Sequence, residues 1–197
     1  MSRIVGPPSE REQRDWWAAH QQSEPQPATL RHGETVWLRP LRRSDRDALV
    51  AFHDSLSHES KRRRFLGDQE HLTPQLLDVL VDGVDGVEHI ALAALAEPVD
   101  GPGQLVGTAR LARAAHPRSA ADVAVTVRDS WHGRGLATVM LPVLLSWRVP
   151  GITHLRTVVA RNNPASLAML RRVGRLREMG GDQDLVYVEV DLTARPD

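Results

Sequence analysis

The four residues His132–Gly135, written HGRG, join an apolar run to a helical pattern. The run ADVAVTVR predicts a buried strand, and LATVMLPVLLSW predicts an amphipathic helix. At such a junction the first amide N–H groups of the helix lack backbone partners, and the helix dipole adds positive charge. Gly133 and Gly135 let a ligand approach these amides closely, and Arg134 adds a cation. The turn therefore predicts a diphosphate-binding site.

Two common phosphate motifs do not fit this turn. The nucleotide P-loop requires a Gly-Lys-Ser/Thr ending, which is absent here. The dinucleotide-binding fingerprint requires a third Gly or Ala three residues after the second glycine, where this chain has Thr138. The preceding strand is also the fourth in the domain rather than the first. The spacing His132-x-x-Gly135-x-Ala137 differs from both motifs.

Composition limits the classes of function that remain. A chain of 197 residues that is 41% hydrophobic and 25% charged can form one globular domain with a real core. The balance of 25 basic and 25 acidic residues argues against a general nucleic-acid or membrane-surface binder. The absence of cysteine excludes disulfides, thiolate metal sites and cysteine nucleophiles. The nine histidines show no metal-ligand spacing, so we expect no metal site.

Targeting signals are not evident in the sequence. Residues 1–9 contain one arginine and no long apolar stretch, and no apolar run approaches the length of a membrane span. We therefore expect a cytoplasmic protein, either a monomer or a homodimer. Lys61 is the single lysine among 25 basic residues, a bias typical of a GC-rich bacterium.

The N-terminal residues 1–28 differ in character from the rest of the chain. Ser9 and Glu12 have the spacing of a capping box, which predicts a short helix. Trp16 and Trp17 would allow this helix to dock on the domain or on a partner, but the turn-rich SEPQPAT favours a flexible, tethered tail. Residues 29–197 are predicted to form the domain.

The order of patterns in the domain is a strand, helices, three strands, a helix, a strand, a helix and a final strand. The strands are TVWLRPL, EHIALAALAE, QLVGTARLAR, ADVAVTVR, THLRTVVA and DLVYVEVDL. This order predicts an α/β (α+β) fold, a mixed sheet with helices on both faces.

The glycine turn resembles a known cofactor motif. VTVRDSWHGRGLATVML is similar to the acetyl-CoA-binding motif of the GNAT superfamily of N-acetyltransferases, whose pattern is Gln/Arg-x-x-Gly-x-Gly/Ala. Gly135 and Ala137 match this pattern, and His132 departs from it at the Gln/Arg position.

A second segment, NNPASLAMLRRVG, resembles the second cofactor helix of the same superfamily. Asn163, Ser166 and Gly174 match that helix, and Arg175 replaces the expected Phe. Taken alone, the segment is a well-capped helix, with Asn163 as N-cap and Pro164 at its first position. Its position after the glycine turn and a strand favours the cofactor helix.

The resemblance extends over roughly residues 33–192 and is most specific to the acetyltransferase domain of bacterial protein-lysine acetyltransferases. It implies the GNAT fold, with a mostly antiparallel sheet that splays into a V between the fourth and fifth strands. It implies acetyl-CoA as co-substrate without a metal, and direct acetyl transfer to an amine, either a small molecule or a protein lysine. The residues implied to bind the cofactor are Val125, Val127, His132, Gly133, Arg134, Gly135, Leu136, Ala137, Asn163 and Ser166.

The same resemblance implies a general base. In the protein-lysine acetyltransferases a Glu precedes the buried strand in an Ala-Glu-Val-Ala setting, and the matching residue here is Asp122, one methylene shorter. The alternative is a strand-entry acid bonded to the backbone or to an arginine. His116 and His89 are further candidates without supporting spacing. Leu170 stands where many members carry the Tyr that protonates the leaving thiolate, so a non-catalytic acyl-CoA-binding sensor or scaffold remains an alternative function.

The basic run Lys61–Arg64 is expected to form a solvated helix face. Its alternatives are a contact with an acidic partner or with the 3′-phosphate of the cofactor.

Overall fold

The computed structural model describes residues 9–96 and 103–196 of the chain. One sheet of eight strands runs through the described part in the order β1-β2-β3-β4-β5-β6-β8-β7. Neighbouring strands are antiparallel except β5 and β6, which are parallel. The strands are β1 (Gln26–Thr29), β2 (Thr35–Pro40), β3 (His89–Ala96), β4 (Gln104–Arg113), β5 (Ala120–Val127), β6 (His154–Ala160), β7 (Arg175–Gly181) and β8 (Leu185–Asp191).

Six helices in the described residues accompany these strands, and four of them begin at a residue whose side chain caps the helix. The helices are α1 (Glu10–His20), α2 (Arg46–Asp54), α3 (His58–Phe65), α4 (Pro74–Leu77), α5 (Leu136–Ser146) and α6 (Pro164–Arg171). The hydroxyl of Ser57 accepts from the N–H of Ser60 at the start of α3, and that of Thr73 accepts from Leu76 at the start of α4. A π-helical turn over Asp78–Asp82 continues α4.

The core consists of two clusters on opposite faces of the sheet. Alternate residues of β3 divide between them: Ile90 and Leu92 belong to one cluster, Ala91 and Ala93 to the other. Apolar side chains of α1, α5 and α6 join the first cluster, and those of α2 and α4 join the second. The predicted sheet with helices on both faces is therefore present.

The sequence analysis did not predict two of the strands, β1 and β7. Both are edge strands with few buried residues: the side chains of β1 are mostly exposed, and those of β7 are exposed except at Leu176. Burial on one face is what gives a strand its alternating pattern, so strands without a buried face show no such pattern.

The N-terminal helix departs from the expected free tail. The capping box is present, with Ser9 and Glu12 bonded reciprocally. Trp17 is only 4% exposed, and its ring meets that of Trp147 edge-on at 5.9 Å between centroids. The side-chain amide of Gln13 donates to the carbonyl of Trp147 at 2.9 Å. Residues 10–20 therefore pack on the domain, because the burial of Trp17 stabilises the docked helix.

No helix in residues 9–96 and 103–196 has the length and apolar character needed to cross a membrane.

Candidate active site

A pocket of about 560 Å³ opens along β5, between β6, α6 and the beginning of α5. Ten of the eleven residues singled out in the sequence line it, all except Arg134. The ten are Asp122, Val125, Val127, His132, Gly133, Gly135, Leu136, Ala137, Asn163 and Ser166. Residues of β5, the glycine turn, α5 and α6 thus line one cavity.

The pocket exists because β5 and β6 separate. The two strands pair in parallel where Ala120 meets His154 and Ala121 meets Leu155, and their register ends there. Two residues further along β6, the hydroxyl of Thr157 donates to the carbonyl of Val123 at 3.1 Å. From Val123 onwards β5 remains paired with β4 on its other side, so its free edge faces the pocket.

The glycine turn presents backbone amides at the end of this opening. Gly133 and Gly135 have φ values of 76° and 87°, a left-handed conformation that L side chains rarely adopt. Among the described backbone hydrogen bonds, none satisfies the N–H groups of Gly133, Arg134 or Gly135. A Cβ at Gly133 would meet no heavy atom within 4 Å, so the space over the turn is open. Both observations fit an anionic ligand seated on the turn.

His132 and Arg134 have partners within the protein. The Nε2 of His132 donates to the carbonyl of Val127 at 2.9 Å, which folds the ring back onto the strand. The guanidinium of Arg134 lies 3.0 Å from the carboxylate of Glu34 and 5.0 Å from the ring centre of Trp131. Arg134 is thus held outside the pocket, and its contact with a phosphate stays a prediction.

Arg31 occupies the place beside the turn that the sequence assigned to Arg134. It lines the pocket, its N–H donates to the carbonyl of Arg134 at 3.2 Å, and its Cβ lies 3.7 Å from the Cβ position of Gly135. Nothing in the local sequence marked this residue, because it lies about 100 residues before the turn.

Helix α6, which the sequence predicts to be the second cofactor helix, begins as its caps predict. The side-chain oxygen of Asn163 accepts from the N–H of Ser166 at 3.2 Å, and Pro164 occupies the first turn. Asn163 therefore caps α6 and also lines the pocket. Leu170, at the position of the missing acid, lines the pocket and is 1% exposed.

Asp122 faces the pocket from β5, where solvent in the pocket reaches its side chain. Burial on its protein side raises the pKa of this carboxyl, while hydrogen bonding with Thr157 and with the backbone of Val123, and the charge of Arg64, lower it by a smaller amount. Among the described residues no arginine lies within ion-pair distance of Asp122. The arginine half of the alternative is therefore not met, whereas the hydrogen bond with the backbone of Val123 agrees with its backbone half.

The two histidines considered as bases lie away from this position. Neither His89 nor His116 lines the pocket. Burial, followed by the charge of Arg110, lowers the pKa of His89 to about 4. His116 precedes Pro117 in the connection between β4 and β5.

Helix α3 supplies three pocket residues, and the sequence analysis assigned two of them, Arg63 and Arg64, to a solvated face. Ser60, Arg63 and Arg64 line the pocket. Lys61, on the same helix, is 8% exposed and donates to the carbonyl of Glu70 at 3.1 Å. A solvated face was therefore wrong for Lys61 and Arg64.

The pocket lining is strongly basic although the chain has no net charge. It contains four arginines, Arg31, Arg63, Arg64 and Arg172, against a single carboxylate, that of Asp122. Within residues 9–96 and 103–196 no three histidine, aspartate or glutamate side chains gather into a metal-binding group. The lining therefore favours a ligand with several negative charges.

Helix α3 is tied to the glycine turn through Asp129. The carboxylate of Asp129 accepts from the N–H of Ser57 at 2.9 Å and from its hydroxyl at 2.6 Å. It also accepts from the hydroxyl of Ser60 at 2.8 Å. These bonds position the arginines of α3 relative to the turn.

Comparison with known proteins identifies the arrangement. The family model described as acetyltransferase (GNAT) domain matches residues 35–175. The chain belongs to the GNAT acetyltransferase family. Both the resemblance and the fold predicted from the sequence are thus confirmed.

Several relatives show how far the similarity reaches. An acetyltransferase of Pseudomonas aeruginosa is 36% identical over 117 residues, 59% of this chain and 61% of that protein. The acetyltransferase Pat of Mycolicibacterium smegmatis is 30% identical over 171 residues, 85% of this chain and 49% of that protein. The chain thus spans about half to three-fifths of the length of these curated relatives.

Solved structures agree with the fold. The crystal structure of the GNAT domain of S. lividans PAT has a TM-score of 0.73 at 26% identity, covering 85% of this chain and 97% of that one. A spermidine N-acetyltransferase from Vibrio cholerae, solved with CoA and spermine, has a TM-score of 0.60 at 14% identity, covering 80% of this chain and 96% of that one. The second match shows the fold alone.

Proposed function

We propose that this GNAT acetyltransferase transfers an acetyl group from acetyl-CoA directly to a primary amine. The observation that carries the proposal is the free edge of β5 leading into the unpartnered amides of the glycine turn. A thioester arm that pairs with this edge would bring its diphosphate onto those amides. Arg31, Arg63 and Arg172 in the pocket lining would provide countercharge for its phosphates.

The binding roles follow the positions in the pocket. Backbone groups of Val125 and Val127 would pair with the pantetheine arm, and the amides of residues 133–137 would hold the diphosphate. Asn163 and Ser166 would contact the arm from α6. A backbone N–H of β5 directed at the thioester carbonyl would stabilise the negative charge that develops there.

Asp122 would act as the general base. The thioester supplies an activated acetyl group. The amine nitrogen forms a bond to the acetyl carbon, the C–S bond breaks, and the sulfur leaves as a thiolate. The carboxylate of Asp122 accepts the proton that the amine loses, directly or through a water. Leu170 offers no proton, so the thiolate would take one from solvent, which its pKa near 8.5 permits.

Calorimetry followed by an amine screen tests the proposal. We expect acetyl-CoA to bind, and CoA thiol to be released when amines, beginning with lysine peptides and polyamines, are added. Asp122→Asn should bind acetyl-CoA as the wild type does and release thiol more slowly. Binding without transfer to any amine would instead support the acyl-CoA-binding sensor. No binding of acetyl-CoA would overturn both functions.

A further inference from the structure

A second, smaller cavity of about 20 Å³ adjoins the active-site pocket on the side of α2. Arg64 and Thr126 line both cavities, and Arg110 of β4 lines the smaller one. In the sheet, Thr108 lies opposite Thr126, and Arg110 lies opposite Ala124. Arg110 and Thr126 therefore project from neighbouring strands on the same face as Asp122, which precedes Ala124 by two residues.

Two polar side chains in this cavity each have a buried atom without a hydrogen-bond partner. Arg110 is 4% exposed; its Nη1 donates to the carbonyl of Leu80, and its Nη2 has no hydrogen-bond partner. Thr126 is 7% exposed, and its hydroxyl has none either. An unsatisfied buried donor is costly and therefore rare, and here two line one cavity.

The charge around this cavity is positive. Burial, followed by the charge of Arg64, lowers the pKa of Arg110 to about 9, which still leaves it protonated near neutral pH. His89 stays neutral, since its pKa is about 4. Among the described residues no carboxylate lies within ion-pair distance of Arg64 or Arg110. Asp122 acts on Arg64 only at longer range.

We propose that Arg110, Thr126 and Arg64 form a subsite for a carboxylate carried by one of the reactants. A carboxylate oxygen would accept from the free Nη2 of Arg110 and from the hydroxyl of Thr126, and Arg64 would balance its second oxygen. The volume suits one oxygen-sized group, so the rest of the ligand would remain in the main pocket. The inference rests on the proposed function, since the reactants are those of acetyl transfer.

The span from the base to the subsite limits the ligand. At about 3.3 Å per residue, Asp122 lies roughly 7 Å from the strand position opposite Arg110 and roughly 13 Å from Thr126. An extended ω-amino acid such as 6-aminohexanoate is roughly 7.5 Å long, and a hydrogen bond of about 2.9 Å at each end extends its reach to roughly 13 Å, so it can bridge Asp122 and both side chains. The carboxylate would come either from such an acceptor or from the acyl group of a dicarboxylic thioester.

Matched substrates separate these two sources. In the acceptor arm, kcat/KM with acetyl-CoA is compared for 6-aminohexanoate and 6-aminohexanamide, which have the same amine and differ in the carboxylate. In the donor arm, kcat/KM is compared for acetyl-CoA and succinyl-CoA, with 6-aminohexanamide as the acceptor in both reactions. We expect the carboxylate to raise kcat/KM about ten- to hundredfold in one arm, the range for hydrogen bonds to charged groups. An equal rate in every pair would overturn the subsite and leave acetyl transfer intact.

Thr126→Val assigns the preference to the cavity. This substitution removes an unpartnered hydroxyl and conserves side-chain volume, so the protein should fold normally. We expect it to reduce the preference for the carboxylate substrate about tenfold. The matched control is Thr35→Val on β2, which lies outside both cavities and should keep the preference. A preference that survives Thr126→Val would contradict the assignment.

A binding measurement keeps the subsite testable if no transfer occurs. The melting temperature of the full chain is followed while 6-acetamidohexanoate or its amide is added in the presence of CoA. We expect 6-acetamidohexanoate to raise the melting temperature and its amide to leave it unchanged. In Thr126→Val this increase should be lost. Failure of transfer together with this stabilisation would reject the proposed function and keep the carboxylate site. Equal stabilisation by both compounds, together with equal stabilisation by acetyl-CoA and succinyl-CoA in the same assay, would reject the site.

Discussion

Gly133→Asp tests the proposed binding of a diphosphate at the glycine turn with a small charged side chain that the backbone tolerates there. Gly133 has φ 76° and open space at its Cβ position, and Asn and Asp adopt left-handed backbone more readily than other L residues. Gly133→Asn introduces a side chain of the same size without the charge. Gly151→Asp places the same carboxylate in another turn, with φ 96° and open space, outside the pocket lining.

The expected loss of binding can be worked out from the charges. At a separation of roughly 5 Å and an effective dielectric constant of about 20, a carboxylate and one phosphate charge repel by about 3 kcal/mol. This corresponds to an acetyl-CoA Kd that is roughly a hundredfold higher. The left-handed backbone costs each Gly→Asp variant about 1 kcal/mol of stability. That strain lowers Tm by about 2–4 °C in a chain of this size.

Calorimetry of acetyl-CoA binding and a melting curve for each variant check the calculation. We expect weaker binding in Gly133→Asp, a much smaller loss in Gly133→Asn and wild-type affinity in Gly151→Asp, with similar Tm decreases in the two aspartate variants. Wild-type affinity in Gly133→Asp would refute the reasoning, because a diphosphate on these amides could not avoid the added charge. Equal losses in the aspartate and asparagine variants would assign the effect to strain.

Three further predictions concern the proposed base Asp122, the hydrogen bonds of Asp129 to α3 and the docking of α1. Because burial raises the pKa of Asp122, kcat/KM should fall as the pH drops through that raised value; Asp122→Asn should remove this limb and lower kcat/KM about 10²–10⁴-fold. Burial alone would raise the pKa of Asp129, but the hydrogen bonds from Ser57 outweigh it and lower the pKa, so the stability it contributes is present above the unfolded pKa and lost as the pH falls through the folded one. Asp129→Asn should cost about 1–2 kcal/mol in urea unfolding at pH 7, and an unchanged midpoint would contradict the tie. Trp17→Ala should cost about 3–5 kcal/mol in the same assay, whereas the half-buried Trp16, as Trp16→Ala, should cost clearly less; equal losses would argue against docking through Trp17.

The central part of the site could be predicted because its signals are local. Three signals follow one another in the chain: the alternating apolar residues of β5, the two glycines and the apolar stripe of α5. They indicate a strand, a turn and a helix, respectively. The positive φ values of Gly133 and Gly135 are a need that glycine meets without strain. The cap of α6 at Asn163 is equally local, and it formed as expected.

Elements without a buried face could not be predicted in the same way. β1 and β7 lie at the two edges of the sheet, where pairing with one neighbour holds a strand whose side chains stay in water. In α1 the difficulty was reversed. Its capping box is visible in the sequence, but Trp17 packs against Trp147 and lies over Gly86, where a Cβ would clash with the indole ring. Such a fit depends on residues far apart in the chain.

The basic character of the pocket depends on distant residues in the same way. Arg134, next to the glycines, was the natural cation for a phosphate, yet Glu34, 100 residues earlier, pairs with it and takes it out of the lining. Arg31, three residues before Glu34, lines the pocket beside the turn instead. The segment 31–34 therefore both supplies one arginine and withdraws another. Glu34→Gln removes the carboxylate that pairs with Arg134, so Arg134 should become available to a phosphate. We expect acetyl-CoA to bind more tightly to this variant in calorimetry, and an unchanged Kd would contradict the expectation.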